Sequence, residues 1–158
     1  TWKAKEYDFH TRFIELAGKV NNNPPYYVMG RLIRALNHNR LSIVNANILI
    51  VGVSYKPNID DMRESPALKI MELLLKEQAK IAYYDPYIPA IPPSRKYRYE
   101  LSGIDLSQVA EDYYDAAIIV TDHEIADYEQ VMKKAKVVLD TRNIIKKRGL
   151  QSSKLWTA

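Results

Sequence analysis

Four short runs of consecutive apolar, β-favouring residues constrain this chain most: Asn47–Val53 (NILIVGV), Lys80–Tyr84 (KIAYY), Ala116–Val120 (AAIIV) and Lys136–Leu139 (KVVL). A strand with one wet face alternates apolar and polar residues, whereas a strand covered on both faces reads as unbroken apolarity. Between the first two runs, Ala67, Ile70, Met71 and Leu74 repeat at helical spacing within Pro66–Gln78. Weaker helical patterns cover Asp105–Asp112 and Asp127–Lys134. Strands alternating with helices predict an α/β fold: an open, mostly parallel sheet wound on both faces.

The first 45 residues read differently. Phe13, Ile14, Leu16 and Ala17 form one helical stripe, and Asn21–Asn23 with Pro24–Pro25 punctuate it. Tyr26, Val28, Met29, Leu32, Ile33 and Leu36 restart the 3.6-residue period until Asn37–Asn39 stops it. Two amphipathic helices cannot close a core alone, so this segment is expected to pack on the rest of the chain or on a partner subunit. The expected division is a helical segment over 1–45 and a sheet domain over 46–158. A length of 158 residues suits one such domain with a real core. Ile48–Val53 and Ala116–Val120, the longest apolar runs, fall far short of the roughly 20 residues that cross a membrane. The polar start TWKAKEYDFH reads as no signal peptide, so the expectation is a soluble, cytoplasmic domain without membrane contact. The absence of cysteine excludes disulfides, thiolate metal sites and a cysteine nucleophile within these residues.

The net charge of +4 lies entirely in residues 1–48, with seven Lys/Arg against three Asp/Glu. No compact basic block or interleaved basic-aromatic face accompanies it, and no nucleic-acid partner is expected. The nearest approach is the tail after Arg142, with Lys146, Lys147, Arg148 and Lys154. The segment Tyr87–Tyr99 reads as a Pro-rich surface loop.

In a doubly wound sheet, ligands bind beyond the carboxyl ends of the strands. Acids stand at three of these ends, Asp85, Asp122 and Asp140, and GVSYK stands at the fourth. The stretch Gly52–Lys69 (GVSYKPNIDDMRESPALK) is the most informative. Gly52 fits a close backbone approach. Ser65 followed by Pro66 is a strong helix start whose amides and dipole favour an anion, and Lys56 and Arg63 flank the loop leading into it. The plain alternative is that Asp60, Asp61, Arg63 and Glu64 satisfy one another in a long turn. No G-x-G-x-x-G or P-loop follows the first strand. His10, His38 and His123 show no metal-ligand spacing, and no metal site is expected. His123, beside Asp122, reads either as a general base at a strand end or as a loop histidine bonded to backbone. Tyr83–Tyr84 and Tyr113–Tyr114 read as core and rim.

GVSYKPNIDDMRESPALKIMELL, YYDPYIP, VTDH and VVLDTRN together resemble the C-terminal domain of the UDP-glucose/GDP-mannose dehydrogenase family. TWKAKEYDFHTRFIELAGKVNNNPPYYV is similar to that family's central helical region, and HTRFIELAGKVN with DDMRESPALK looks most like the branch acting on UDP-N-acetylhexosamines, UDP-N-acetylglucosamine 6-dehydrogenase among them. The resemblance implies a Rossmann-like domain that binds the nucleotide end of a UDP-sugar. It implies an oxidoreductase of polysaccharide biosynthesis that oxidises a sugar C6 alcohol to the carboxylate, passing two hydrides to NAD. Tyr55 and Lys56 match the family's substrate-contacting aromatic-Lys pair, Arg142 a second substrate-binding residue, and Arg63 the arginine that reaches across to NAD. The family's NAD motif and catalytic residues, its cysteine thiolate included, would lie upstream of Thr1. The chain is therefore expected to be a fragment without turnover of its own, with residues 11–37 building a homodimer. The alternative is a non-enzymatic α/β ligand-binding or regulatory module.

Overall fold

The computed structural model describes residues 23–91 and 101–158. In chain order the elements are α1 (Pro24–His38), β1 (Asn47–Val51), α2 (Pro66–Lys76), β2 (Lys80–Tyr84), a 3₁₀ turn (Leu106–Gln108), β3 (Ala116–Ile119), α3 (Tyr128–Lys134), β4 (Val138–Asp140), α4 (Ile144–Lys147) and β5 (Leu155–Thr157). The strands form one parallel sheet in the order β2-β1-β3-β4-β5, the Rossmann-like α/β arrangement expected. From β1 the chain steps one way to β2 and afterwards the other way through β3, β4 and β5. The topological switch point therefore lies between β1 and β3.

Why the strands read as unbroken apolar runs is visible in β1. Ile48 and Ile50 point into one core with Leu32 and Leu36 of α1 and Ile70 and Leu74 of α2. Leu49 and Val51 point into the other, with Tyr128 and Val131 of α3 and Ile145 of α4. Both faces are dry from Ile48 to Val51, so each of these positions is apolar. Asp127 starts α3 by accepting the Gln130 N–H at 2.9 Å.

Pro24 and Pro25 occupy the first turn of α1, where a fixed φ and a missing N–H cost nothing. The helix packs on α2 and the sheet, within the core shared by β1. Arg31 of α1 donates from Nε and Nη2 to the Thr157 carbonyl at 2.9 and 2.6 Å, and the His38 ring meets Trp156 edge-on at 5.3 Å. Of the two supports expected for this segment, the described helix uses the rest of the chain. The stripe Phe13–Ala17, His10 and most of the Pro-rich loop lie outside the described residues.

Several elements differ from the sequence pattern, and β4 begins at Val138 rather than Lys136. β1 stops at Val51 because Gly52 turns the backbone at φ +79°. The pattern over Asp105–Asp112 yields only the 3₁₀ turn, capped by Asp105, which accepts the Ser107 N–H at 2.9 Å. Residues Ile144–Lys147 and Leu155–Thr157, unassigned by periodicity, form α4 and the edge strand β5.

Candidate functional site

The strand ends at the switch point are built by close backbone approach. A Cβ on Gly52 would stand 2.3 Å from the Thr121 carbonyl oxygen, so only glycine lets β1 turn beside the end of β3. Gly52 N–H donates to the Tyr84 carbonyl at 2.9 Å, continuing the pairing with β2. The next carbonyl that matters, Ser54 O, accepts from Thr121 Oγ1 at 2.7 Å and from Ser65 Oγ at 3.2 Å. The three segments leaving β1, entering α2 and leaving β3 are thereby tied at one atom.

Beneath this knot lies a buried polar network. Asp85, at the end of β2, accepts the Val53 and Ser54 N–H groups through Oδ2 at 2.7 and 3.3 Å, and the Tyr87 and Ile88 N–H groups through Oδ1 at 2.8 and 3.2 Å. His123, after β3 and fully buried, places Nε2 3.0 Å from the same Oδ2 and 3.2 Å from Ser54 Oγ. Its Nδ1 accepts the Asn58 N–H at 3.0 Å. A ring nitrogen that accepts carries no proton, so the imidazole is neutral with its hydrogen on Nε2, donated toward Asp85. Burial pushes the Asp85 carboxyl up, but the hydrogen bonds from His123, Tyr87 and Val53 outweigh it and hold the group below its ordinary value. Burial likewise pushes the Tyr128 hydroxyl up, and that hydroxyl donates to the His123 carbonyl at 2.9 Å.

The cations stand on the rim of this network. Tyr55 and Lys56 follow Ser54 directly; Tyr55 is half exposed, and Lys56 Nζ sits 5.5 Å from its ring centroid. No carboxylate pairs with Lys56 among the described residues. Arg142, after β4, donates from Nε to Asp122 Oδ1 at 2.8 Å, and its own N–H is held by Asp140 at 2.9 Å. Its terminal guanidinium nitrogens meet no carboxylate among the described residues. Asp122 adjoins His123, so the loops carrying Lys56 and Arg142 are linked through the end of β3.

Arg63 stands apart. Its side chain is 88% exposed and forks onto Asp61, with Nη2–Oδ2 at 2.7 Å and Nε–Oδ1 at 3.0 Å. The plain reading of this stretch as a self-satisfying turn describes that pair. The start of α2 is also more fully occupied than its sequence implies. Ser65 Oγ takes the Ala67 N–H at 3.2 Å, the Ser65 carbonyl takes that of Leu68 at 3.2 Å, and Pro66 has none. An anion arriving there would meet the dipole and side chains rather than open amides.

The sequence-predicted residues thus divide. The structure brings Tyr55, Lys56 and Arg142 to the switch-point edge and leaves Arg63 on an outer loop of the same edge. Sequence reasoning did not pair His123 with Asp85; of its two roles for His123, the backbone-bonded loop histidine is the one observed, with a carboxylate added. No local signal joins the two, because they lie 38 residues apart on strands that β1 separates. Among the described residues no group of three His, Asp or Glu side chains converges as metal ligands, and no helix is long and apolar enough to cross a membrane.

Comparison with known proteins agrees with this fold. The chain is 29% identical over 152 residues to the UDP-N-acetyl-D-mannosamine dehydrogenase of Methanococcus vannielii, covering 91% of this chain and 33% of the relative. It is 27% identical over 124 residues to the UDP-N-acetyl-D-glucosamine 6-dehydrogenase of Salmonella typhi, covering 78% and 28%. The solved UDP-D-ManNAc dehydrogenase of Pyrococcus horikoshii superposes with a TM-score of 0.72 at 28% identity, covering 98% of this chain and 34% of that one. The chain therefore spans about a third of the length of the relatives it matches. Residues 49–147, which hold the carboxyl ends of β1, β2, β3 and β4, match the UDP-binding domain of the UDP-glucose/GDP-mannose dehydrogenase family, and the chain belongs to that family.

Proposed function

We propose that this chain is the nucleotide-sugar-binding part of an NAD-dependent UDP-sugar 6-dehydrogenase that oxidises the C6 alcohol of a UDP-N-acetylhexosamine to the uronate. The observation that carries this reading is the pair of cations, Lys56 and Arg142, on linked loops at the switch point of a domain matched to the family's UDP-binding unit. Lys56 supplies a compact charge suited to a diphosphate. Arg142 is held by one edge on Asp122, which leaves the rest of its planar fork directed to a ligand oxygen. The half-exposed Tyr55 ring offers an apolar face beside them.

The described residues do not form a dinucleotide cradle. Gly52 is filled by its contact with Thr121 rather than left open for a pyrophosphate, and the first amides of α2 are taken. The one cofactor contact proposed for this chain is Arg63. The covalent and redox chemistry, and the homodimer built with residues 11–37, belong to the longer cytoplasmic protein proposed here.

Calorimetric titration of the chain with UDP, UDP-N-acetylglucosamine and NAD tests the reading. Uracil-dependent binding in the micromolar-to-millimolar range is expected, weakened about tenfold or more by Lys56→Ala or Arg142→Ala. No response to UDP, together with DNA binding that falls steeply with salt, would overturn it.

A further inference from the structure

We propose that His123 is a positioning residue for nucleotide-sugar recognition: its neutral imidazole joins the Ser54–Asn58 loop to the end of β3 and so sets where Tyr55 and Lys56 stand. This rests on the reading that Tyr55 and Lys56 take the nucleotide sugar. Both side chains are exposed, and their recorded contact is with each other, at 5.5 Å. Their placement therefore comes from the backbone on either side. On the N-terminal side, Ser54 is fixed by Asp85, Thr121 and Ser65. On the C-terminal side, the ties to β3 are Asn58 N–H to His123 Nδ1 at 3.0 Å and Glu124 N–H to Asn58 Oδ1 at 2.9 Å. A third tie, Tyr55 N–H to the Asp61 carbonyl at 2.7 Å, stays within the loop.

Among the described residues, His123 touches both sides. Nε2 reaches Asp85 and Ser54 below the loop's start, and Nδ1 holds its far end. Ser54 Oγ, 3.2 Å from Nε2, donates to the Lys56 carbonyl at 2.7 Å, so the backbone of the proposed phosphate-binding lysine is bonded to a hydroxyl seated against the imidazole. His123 itself is fixed: the Tyr128 hydroxyl donates to its backbone carbonyl at 2.9 Å, and the Tyr87 ring centroid lies 5.0 Å from that of the imidazole. Asn58 lies at φ +62°, a conformation asparagine tolerates better than most residues, which shapes the turn but does not anchor it to the sheet. When a loop occupies its binding-competent form only part of the time, apparent affinity falls by that fraction. Loss of the imidazole is read directly by that route.

The experiment compares wild type, His123→Ala, His123→Gln and Asn58→Gly, using titration with UDP-N-acetylglucosamine and hydrogen exchange at the Asn58 amide. In His123→Ala, binding weakens about tenfold and the Asn58 amide exchanges at least about tenfold faster. Glutamine keeps one donor and one acceptor, so His123→Gln recovers to within about threefold of wild type. Asn58→Gly retains the positive φ and the N–H but loses the bond to Glu124, and weakens binding about threefold. A folded His123→Ala chain that binds as wild type does overturns the proposal, as does an Asn58 amide unprotected in the wild type. If neither His123 variant folds, the wild-type exchange decides, and an Asn58 amide that exchanges as fast as an open one overturns the proposal. Failure of the wild type to bind any UDP compound instead sinks the functional reading first, and this proposal with it.

Discussion

Two pieces of one connection, Gly52–Ser54 and Asp60–Glu64, leave and return to the same edge of the sheet, yet they are held in opposite ways. The first is dry and bonded to three other segments: Gly52 against Thr121, Val53 and Ser54 on Asp85, and Ser54 O under two hydroxyls. Apart from Met62, which is buried in the core, the second is wet and bonded mainly to itself, through Asp61 and Arg63 two residues apart. Long-range buried bonds fix a backbone, whereas an exposed local ion pair only favours one of several arrangements. A diphosphate that must find its cations in register needs the first kind of support. A guanidinium that reaches out of the domain needs the second.

Breaking the dry piece has the larger effect. Gly52→Ala forces a Cβ against the Thr121 carbonyl at 2.3 Å in a backbone of φ +79° and is expected to destabilise the fold by on the order of 3 kcal/mol, measured by urea denaturation. Asp85→Asn follows. It leaves the Val53, Ser54, Tyr87 and Ile88 amides and the His123 ring to share one acceptor oxygen, at a cost of about 2 to 4 kcal/mol. The sign of its pH dependence is fixed. The Asp85 carboxyl lies below its ordinary 3.8 in the fold, so its contribution is present above that value and is lost as the pH falls through the lower, folded one. The gap between wild type and Asp85→Asn should therefore be wide at neutral pH and narrow on acidification below about 4. A gap that is constant with pH would mean that the carboxylate's charge does not matter to the knot.

The same contrast explains what was legible in the sequence. Strands dry on both faces read as unbroken apolarity, which is why β1, β3 and β4 were readable as runs, while β2, partly open at the sheet's edge, was readable by its β-favouring residues. β5 has three residues at the sheet's edge, none of them buried, and its place depends on Arg31 far upstream; no local period can reveal it. Lys56, Arg142 and the strand-end acids were legible because a parallel sheet delivers its strand ends to one edge. Their separate duties were not. Asp85 and Asp140 turn inward to cap amides, and Asp122 turns outward to hold Arg142. The partnership of Asp85 with His123, 38 residues apart and from strands on opposite sides of β1, exists only once the order β2-β1-β3 is known.

The smallest expected effect sharpens the contrast from the wet side. The Asp61 carboxyl is held at about 2, chiefly by the side-chain hydrogen bond from Arg63, yet both groups are open to water, where such a pair contributes little to stability. Arg63→Ala and Asp61→Ala should each leave the thermal midpoint within about 1 °C of wild type, in low salt as in high. A drop beyond about 3 °C would show that this turn, too, is part of the fixed frame, and the division between held and free loops would fail. A negligible shift has a functional meaning. An arginine whose resting partner is weak and local can exchange it for an anion outside the domain without disturbing the strand ends, which is the freedom that the proposed contact of Arg63 with NAD requires.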